Sequence, residues 1–279
     1  MDANDDHDVE VYIPHSLRGL VDVIGKHKSV FNSNFLIMPN SKIELMFFLE
    51  GSELDHFYID SEKSQLLPDY SKNFAILFSS QTRPVATKFR RLNAITVVMN
   101  PIAAMALFGI PASELKDIHI EPFMINSLGF IQDTLNALPT FKQQASFLER
   151  FLFERLCNSS HQSSAVEMSK SISTLYSSED SLFYETQMDI GNRGYSASHF
   201  NRICKTWLGV THNEYLMHKK FRSAMYTIHQ GEAPLTEIAY NFGFFDQAHF
   251  SKTFKRFSGM SPREYKNAAK GPIPELVLL

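Results

Sequence analysis

Between residues 247 and 257, Phe250, Phe254 and Phe257 recur at i, i+4 and i+7, the spacing of one apolar stripe on a helix. The opposite face carries Gln247, Ala248, Ser251, Lys252 and Lys255. Amide, hydroxyl and ammonium groups on an exposed helix match the edges of bases and the oxygens of phosphates. The chemistry on offer is therefore major-groove reading of duplex DNA. Upstream, residues 235–242 read as a shorter helix with Ile238, Ala239 and Phe242 at helical spacing; Gly243 breaks it, and Asp246 is suited to cap the next one. Helix, tight turn, helix is the geometry that seats a reading helix in the groove, although an ordinary surface αα-hairpin presents the same pattern.

The pattern occurs twice. A shift of 50 positions pairs His249 with His199, Phe250 with Phe200, Lys252 with Arg202 and Lys255 with Lys205. The register continues without a gap through Gly259 and Gly209, Ser261 and Thr211, Glu264 and Glu214, and Tyr265 and Tyr215. Two such units, joined by a helical stretch at about residues 213–230, are similar hairpins held at a fixed distance. On the reading face the first unit offers Ser198, Asn201 and Arg202, and the second offers Gln247, Ala248, Ser251 and Lys252. Lys205, Lys255 and Arg256 are better placed for phosphates. His199 and His249 each precede a core Phe, where a ring either contacts phosphate or closes the hairpin packing. Cys204 stands opposite Phe254 and Trp207 opposite Phe257, so both are expected in the core.

Ile238-Ala239, Gly243-Phe244, Asp246-Gln247, His249-Phe250, Thr253-Phe254-Lys255 and the run from Gly259 through Pro262 to Tyr265 closely resemble the signature of AraC/XylS-type transcription regulators. The resemblance covers roughly residues 165–269 and, in the first unit, is good from Tyr195 onward. Where the first scaffold helix should carry an Ile-Ala-like pair, Asp189-Ile190-Gly191 stands. Glycine in a helix interior costs about 0.5–1 kcal/mol relative to alanine, which makes the first unit the looser one. The resemblance implies two helix-turn-helix units reading successive major grooves of double-stranded DNA, RNA polymerase as a partner, a cytoplasmic location and no cofactor. It implies a transcription activator, although nothing in the residues separates activation from repression.

The elements that must carry these units begin with a different kind of sequence. Residues 35–38, 43–49, 74–79 and 95–99 are strand-like, with turn signals at Pro39-Asn40 and Glu50-Gly51. Helical stretches follow at residues 102–108, 127–138 and 142–156, with a short one beginning near residue 113. In the last long stretch Phe147, Leu148, Phe151, Leu152 and Leu156 share a face that either covers its own core or serves dimerisation. This half resembles the β-rich N-terminal domain of a subset of the same regulators, through Met38-Pro39 with Ile43-Glu44-Leu45, Gln81-Thr82-Arg83, and the segments 100–104 and 107–111. That resemblance implies a sensor or oligomerisation module, and with it a small-molecule effector and a homodimer as expected partners. Gln81, Thr82 and Arg83 are the candidate effector contacts; a strand-edge cluster with no ligand is the alternative.

The expected fold is an α+β N-terminal domain, β-rich with C-terminal helices, followed by an all-α domain with two helix-turn-helix units. The boundaries read from the sequence are residues 1–157, a polar linker at 158–164, a DNA-binding domain at 165–270 and a frayed tail at 271–279. A helix over residues 165–176 opens the second domain with Val166, Ile172 and Leu175 inward. The linker has few groups able to pack, so a fragment beginning at Ser164 is expected to fold alone.

Charge is weakly polarised: residues 164–279 hold 13 Lys+Arg against 11 Asp+Glu, leaving 14 against 19 for the rest of the chain. Placement on two helical faces, rather than net charge, points to nucleic acid. Catalytic readings find little purchase. His7, His15, His27, His56, His119 and His161 form no His-x-His or i, i+4 pair suited to a metal. Cys157 and Cys204 cannot make a four-thiolate site, and there is no phosphate loop of the Gly-x-x-x-x-Gly-Lys kind. The chain is expected not to be an enzyme. The most apolar window, residues 94–110, is interrupted by Asn100-Pro101 before membrane-spanning length. The competing reading is a protein-interaction module whose duplicated hairpins are structural.

Overall fold

The computed structural model describes residues 8–39, 41–58, 75–78, 84–115, 119–120, 129–175, 196–231, 233–268 and 276–278. Two long antiparallel strands, β2 (Val21–Ile37) and β6 (Val85–Met99), form the spine of an N-terminal sheet. Shorter strands line both of its edges. β1 (Asp8–Tyr12) pairs with the first part of β2. Across β6, β3 (Ile43–Phe48) takes the C-terminal half and β4 (Glu53–Tyr58) the N-terminal half. β5 (Ala75–Phe78) and β7 (His119–Ile120) extend the sheet beyond β3, giving the order β1-β2-β6-β3-β5-β7. Every pairing is antiparallel, and β3 alternates as expected, with Ile43, Leu45 and Phe47 on the buried face.

Helices cover that face. α1 (Ile102–Phe108) buries Ile102, Ala103, Ala104, Ala106 and Leu107, and ends in the left-handed Gly109. α2 (Gly129–Ala137) contributes Ile131 and Leu135. α3 (Phe141–Cys157) is capped by the Thr140 hydroxyl, which accepts from the Gln143 N–H, and it buries Leu148, Leu152 and Leu156. Phe147 and Phe151 are only half-buried but pack against this core, so the aromatic stripe on α3 chiefly covers its own domain.

α4 (Gln162–Leu175) starts inside the segment expected as linker, taking in Gln162, Ser163 and Ser164. It buries Ala165 and Ile172 against the N-terminal domain, whereas Val166, expected inward, is exposed. The correction is one of helical phase: Ala165, not Val166, lies in line with Ile172. The first scaffold helix expected around residues 189–191 lies outside the described residues.

The C-terminal helices follow: α5 (Ala197–Leu208), α6 (His212–Gln230), α7 (Leu235–Asn241), α8 (Gln247–Ser258) and α9 (Pro262–Ala268). They do not form an isolated body. Phe200, Cys204, Leu208, Val210, Tyr215 and Leu216 join the same apolar core as α1 and the sheet. A second core gathers Phe221, Met225 and Ile228 of α6 with Ile238, Phe244, Phe250, Phe254, Phe257 and Tyr265, and includes Met38 from the end of the sheet. The tail, expected to fray, adds a strand: β8 (Leu276–Leu278) pairs antiparallel with Phe35–Ile37 of β2. It satisfies backbone groups on the stretch of that edge that β1 does not reach.

Candidate nucleic-acid interface

The repeat in sequence is a repeat in backbone chemistry. The Ser196 hydroxyl accepts from the His199 N–H, and 50 positions later the Asp246 carboxylate accepts from the His249 N–H. Both α5 and α8 therefore open on a side-chain cap, which satisfies a donor that the helix itself cannot. Both close on a left-handed glycine, Gly209 at φ 79° and Gly259 at φ 75°, bonded back to Lys205 and Lys255 respectively. The next helix in each unit starts on a reciprocal cap. Thr211 and Glu214 form a complete capping box, and Ser261 with Glu264 repeats it. The Ser261 N–H, and after it the Ser261 hydroxyl, donate to the Glu264 carboxyl and hold it below its ordinary range.

With its ends fixed, α8 has one rotational setting. Phe250, Phe254 and Phe257 are buried, and Phe254 packs against Phe221 and Tyr265 at ring distances of 5.0 and 5.4 Å. Gln247, Ala248, His249, Lys252, Lys255 and Arg256 are consequently exposed, and Ser251 is half-buried at the edge. The Arg256 guanidinium lies over the Phe257 ring at 4.5 Å, which limits its reach. His249 is partly committed to the turn, because its Nδ1 accepts from the Phe245 N–H at 3.4 Å while its ring edges against Phe244. Only Nε2 remains to reach outward.

On α5, Ser198, Arg202 and Lys205 are exposed and His199 is half-buried. The Arg202 guanidinium lies 3.1 Å from Nδ1 of His199. Asn201 differs from its neighbours: its Oδ1 accepts from the His212 N–H at 3.2 Å, so the side chain ties α5 to the start of α6. Its amide NH2 is the part that can still face a base. Cys204 is buried and its thiol is pushed up to about 12 by that burial, a small core residue as expected. Trp207, expected in the core, is half-buried and packs against its margin. Gln81, Thr82 and Arg83 lie outside the described residues.

Two further positions support the interface. Lys220 of α6 is buried and donates from Nζ to the Gly243 carbonyl at 2.8 Å, bracing the turn between α7 and α8. Its spacing was legible, since Leu216, Lys220 and Ala224 fall at i, i+4 and i+8 on the inward face. His212, also buried, sets its ring edge-on to Phe200 at 5.3 Å, and burial lowers its pKa. Among the described residues no group of His, Cys, Asp and Glu is arranged to hold a metal, and no helix is long and apolar enough to cross a membrane.

Residues 193–268 match the family model described as a helix-turn-helix domain. This segment is a helix-turn-helix domain, as the resemblance to AraC/XylS-type regulators implied. Over 69 residues the chain is 35% identical to the probable transcriptional regulator LumQ of Photobacterium leiognathi, covering 25% of this chain and 28% of that protein. Over 71 residues it is 37% identical to the HTH-type transcriptional activator RhaS of Escherichia coli, covering 25% of this chain and 26% of that one. The match thus spans about a quarter of the length of these curated relatives. Among solved structures, ToxT from Vibrio cholerae aligns over 95% of this chain and 99% of its own, at 14% identity and a TM-score of 0.46. A ToxT structure with bound unsaturated fatty acid aligns at 15% identity and a TM-score of 0.42, covering 98% of this chain and 99% of that one. The matched residues 193–268 span both units whose caps and exposed faces are described above.

Proposed function

We propose that the chain is a sequence-specific DNA-binding transcription regulator, with α5 and α8 entering successive major grooves on one side of the duplex. The observation that carries this reading is the duplication itself: two capped helices, 50 positions apart, each with a buried apolar stripe and an outer face of amide, hydroxyl and cationic groups. A structural hairpin has no need to repeat an exposed face. In this reading Ser198, Asn201, Arg202, Gln247, Ala248, Ser251 and Lys252 face base edges, and Lys205, His199, His249, Lys255 and Arg256 face phosphates. RNA polymerase is the downstream partner, and activation the mode. The N-terminal domain serves as the regulatory module, through a small-molecule effector or a homodimer. An event there would reach the DNA through the continuous core that joins α1 to α5.

The test is a titration of the purified chain against duplexes selected from a randomised library, repeated at several salt concentrations. Arg202 is suited to bidentate contact with guanine, so Arg202→Ala should weaken the selected duplex by about 1–3 kcal/mol and scrambled DNA much less. Lys255→Ala should weaken both alike and lower the salt slope by about one unit. Because the two units differ, the site for one protomer should be asymmetric, its halves about 34 Å apart. Absence of salt-dependent binding by the unmodified chain would leave the protein-interaction reading in place.

A further inference from the structure

Phe245 is 92% exposed and Tyr240 84% exposed, the two most exposed large apolar side chains among the described residues. They flank the Gly243 turn of the second unit. Phe245 is not free to fold inward. Its neighbour Phe244 occupies the core position, buried with its ring 5.0 Å from Phe250. Asp246 itself is extended, at φ −155° and ψ 176°, as the N-cap of α8, and Phe245 sits in the bend between that cap and the buried Phe244. The hydrogen bonds from the Phe245 N–H to His249 Nδ1, and from the His249 N–H to Asp246, close the turn and fix the backbone on both sides of the Phe245 ring. An aromatic ring is thus held in solvent beside the helix N-terminus that carries exposed Gln247 and Ala248.

Resting on the DNA-binding reading above, we infer that Phe245 is a specificity-determining residue that packs against the C5-methyl group of a thymine at the edge of the α8 half-site. The N-terminal end of a recognition helix is the part that meets base edges, and the residue just before its cap lies at the mouth of the groove. The thymine methyl is the apolar feature displayed in the major groove, and a phenyl ring is among the side chains that contact it. Gln247 and Ala248 lie next to it on the same surface, so the apolar contact continues the polar reading face. Burial of one methyl is worth about three- to fivefold in affinity.

The experiment uses the full chain and a duplex selected with it from a randomised library, resynthesised with deoxyuridine replacing each thymine of the α8 half in turn. With the unmodified chain, one or two substitutions should lower affinity about three- to fivefold. Phe245→Ala should bind the thymine duplex about five- to tenfold more weakly and be insensitive to uracil at that same position, while Phe245→Leu retains most of the effect. An exposed side chain contributes little to stability, so the melting temperature of Phe245→Ala should be unchanged. The inference is overturned if Phe245→Ala keeps full affinity, or if it still responds to uracil as the unmodified chain does. Full affinity with lost transcription would assign the ring to a protein partner instead. If the unmodified chain selects no duplex at all, the DNA-binding reading fails with it, and the two failures are distinguishable.

Discussion

His212 shows how a single side chain can couple the first reading unit to pH. Its imidazole is buried against Phe200 and its pKa lies below the ordinary 6.5 because burial disfavours the charged ring. The unfolded chain therefore binds more protons than the folded one between the lowered value and 6.5. Stability must fall as pH drops through 6.5, with the loss complete below the folded value. Thermal unfolding of wild type should move down between pH 7.5 and pH 5, and His212→Gln, which does not titrate, should remove part of that dependence. At the other unit Lys220 is the sensitive position. Lys220→Met keeps the packed stem but withdraws the ammonium from the Gly243 carbonyl, so it should destabilise by about 1–3 kcal/mol in denaturant titrations. It should also weaken DNA binding, because the turn that aims α8 loses its brace.

At the scale of elements, the caps set where each recognition helix begins and so which residues lie in its first turn. Asp246→Ala removes the side-chain acceptor for the His249 N–H and should cost about 1 kcal/mol. Asp246→Asn should recover most of that loss, which melting curves of the pair will read. At the other end of the first unit Gly209 answers two demands at once. Its φ of 79° is a left-handed cap, and a Cβ there would lie 2.8 Å from the carbonyl oxygen of Ala112. The helix is stopped at the point where its backbone meets the N-terminal domain. Gly259, its repeat partner, approaches only the ring of Pro84, at 3.4 Å. The two units thus share their local design but not their setting.

Across the whole molecule, that difference in setting makes the first unit dependent on its neighbour. Phe200, Cys204, Leu208 and Val210 bury into a core completed by α1 and the sheet, while the second unit carries most of its own core in α6 to α9. A fragment of residues 164–279 lacks the partners of the first group and the strand that β8 pairs with. We expect it to melt well below the full chain and to lose affinity chiefly for the α5 half of the site, with the α8 half retained. Calorimetry of fragment and full chain, with footprinting of both, checks this. A fragment as stable as the full chain, protecting both halves equally, would show that the seam between α1 and α5 adds nothing.

The two helical units were legible in the sequence because their information is local. A helix stripe at i, i+4 and i+7, a Ser or Asp cap and a closing glycine each act within a dozen residues, and their recurrence at Phe200 and Phe250 makes the pattern self-checking. The same holds for Leu148, Leu152 and Leu156 on α3 and for Ile43, Leu45 and Phe47 on β3, where one buried face imposes one period. What sequence did not carry is long-range. β2 and β6 run far beyond the apolar stretches at their ends, because their continuation rests on backbone pairing between residues distant in the chain rather than on side-chain period. Leu276–Leu278 became a strand only because an edge of β2 stood open beside it. Ala165 took the inward position expected of Val166 because the phase of α4 is set by its packing on α1, not by the helix's own composition. Asn201 looked like its exposed neighbours until the start of α6 drew its carbonyl oxygen inward. In each case the deciding partner lies elsewhere in the chain, and only the tertiary structure brings the two together.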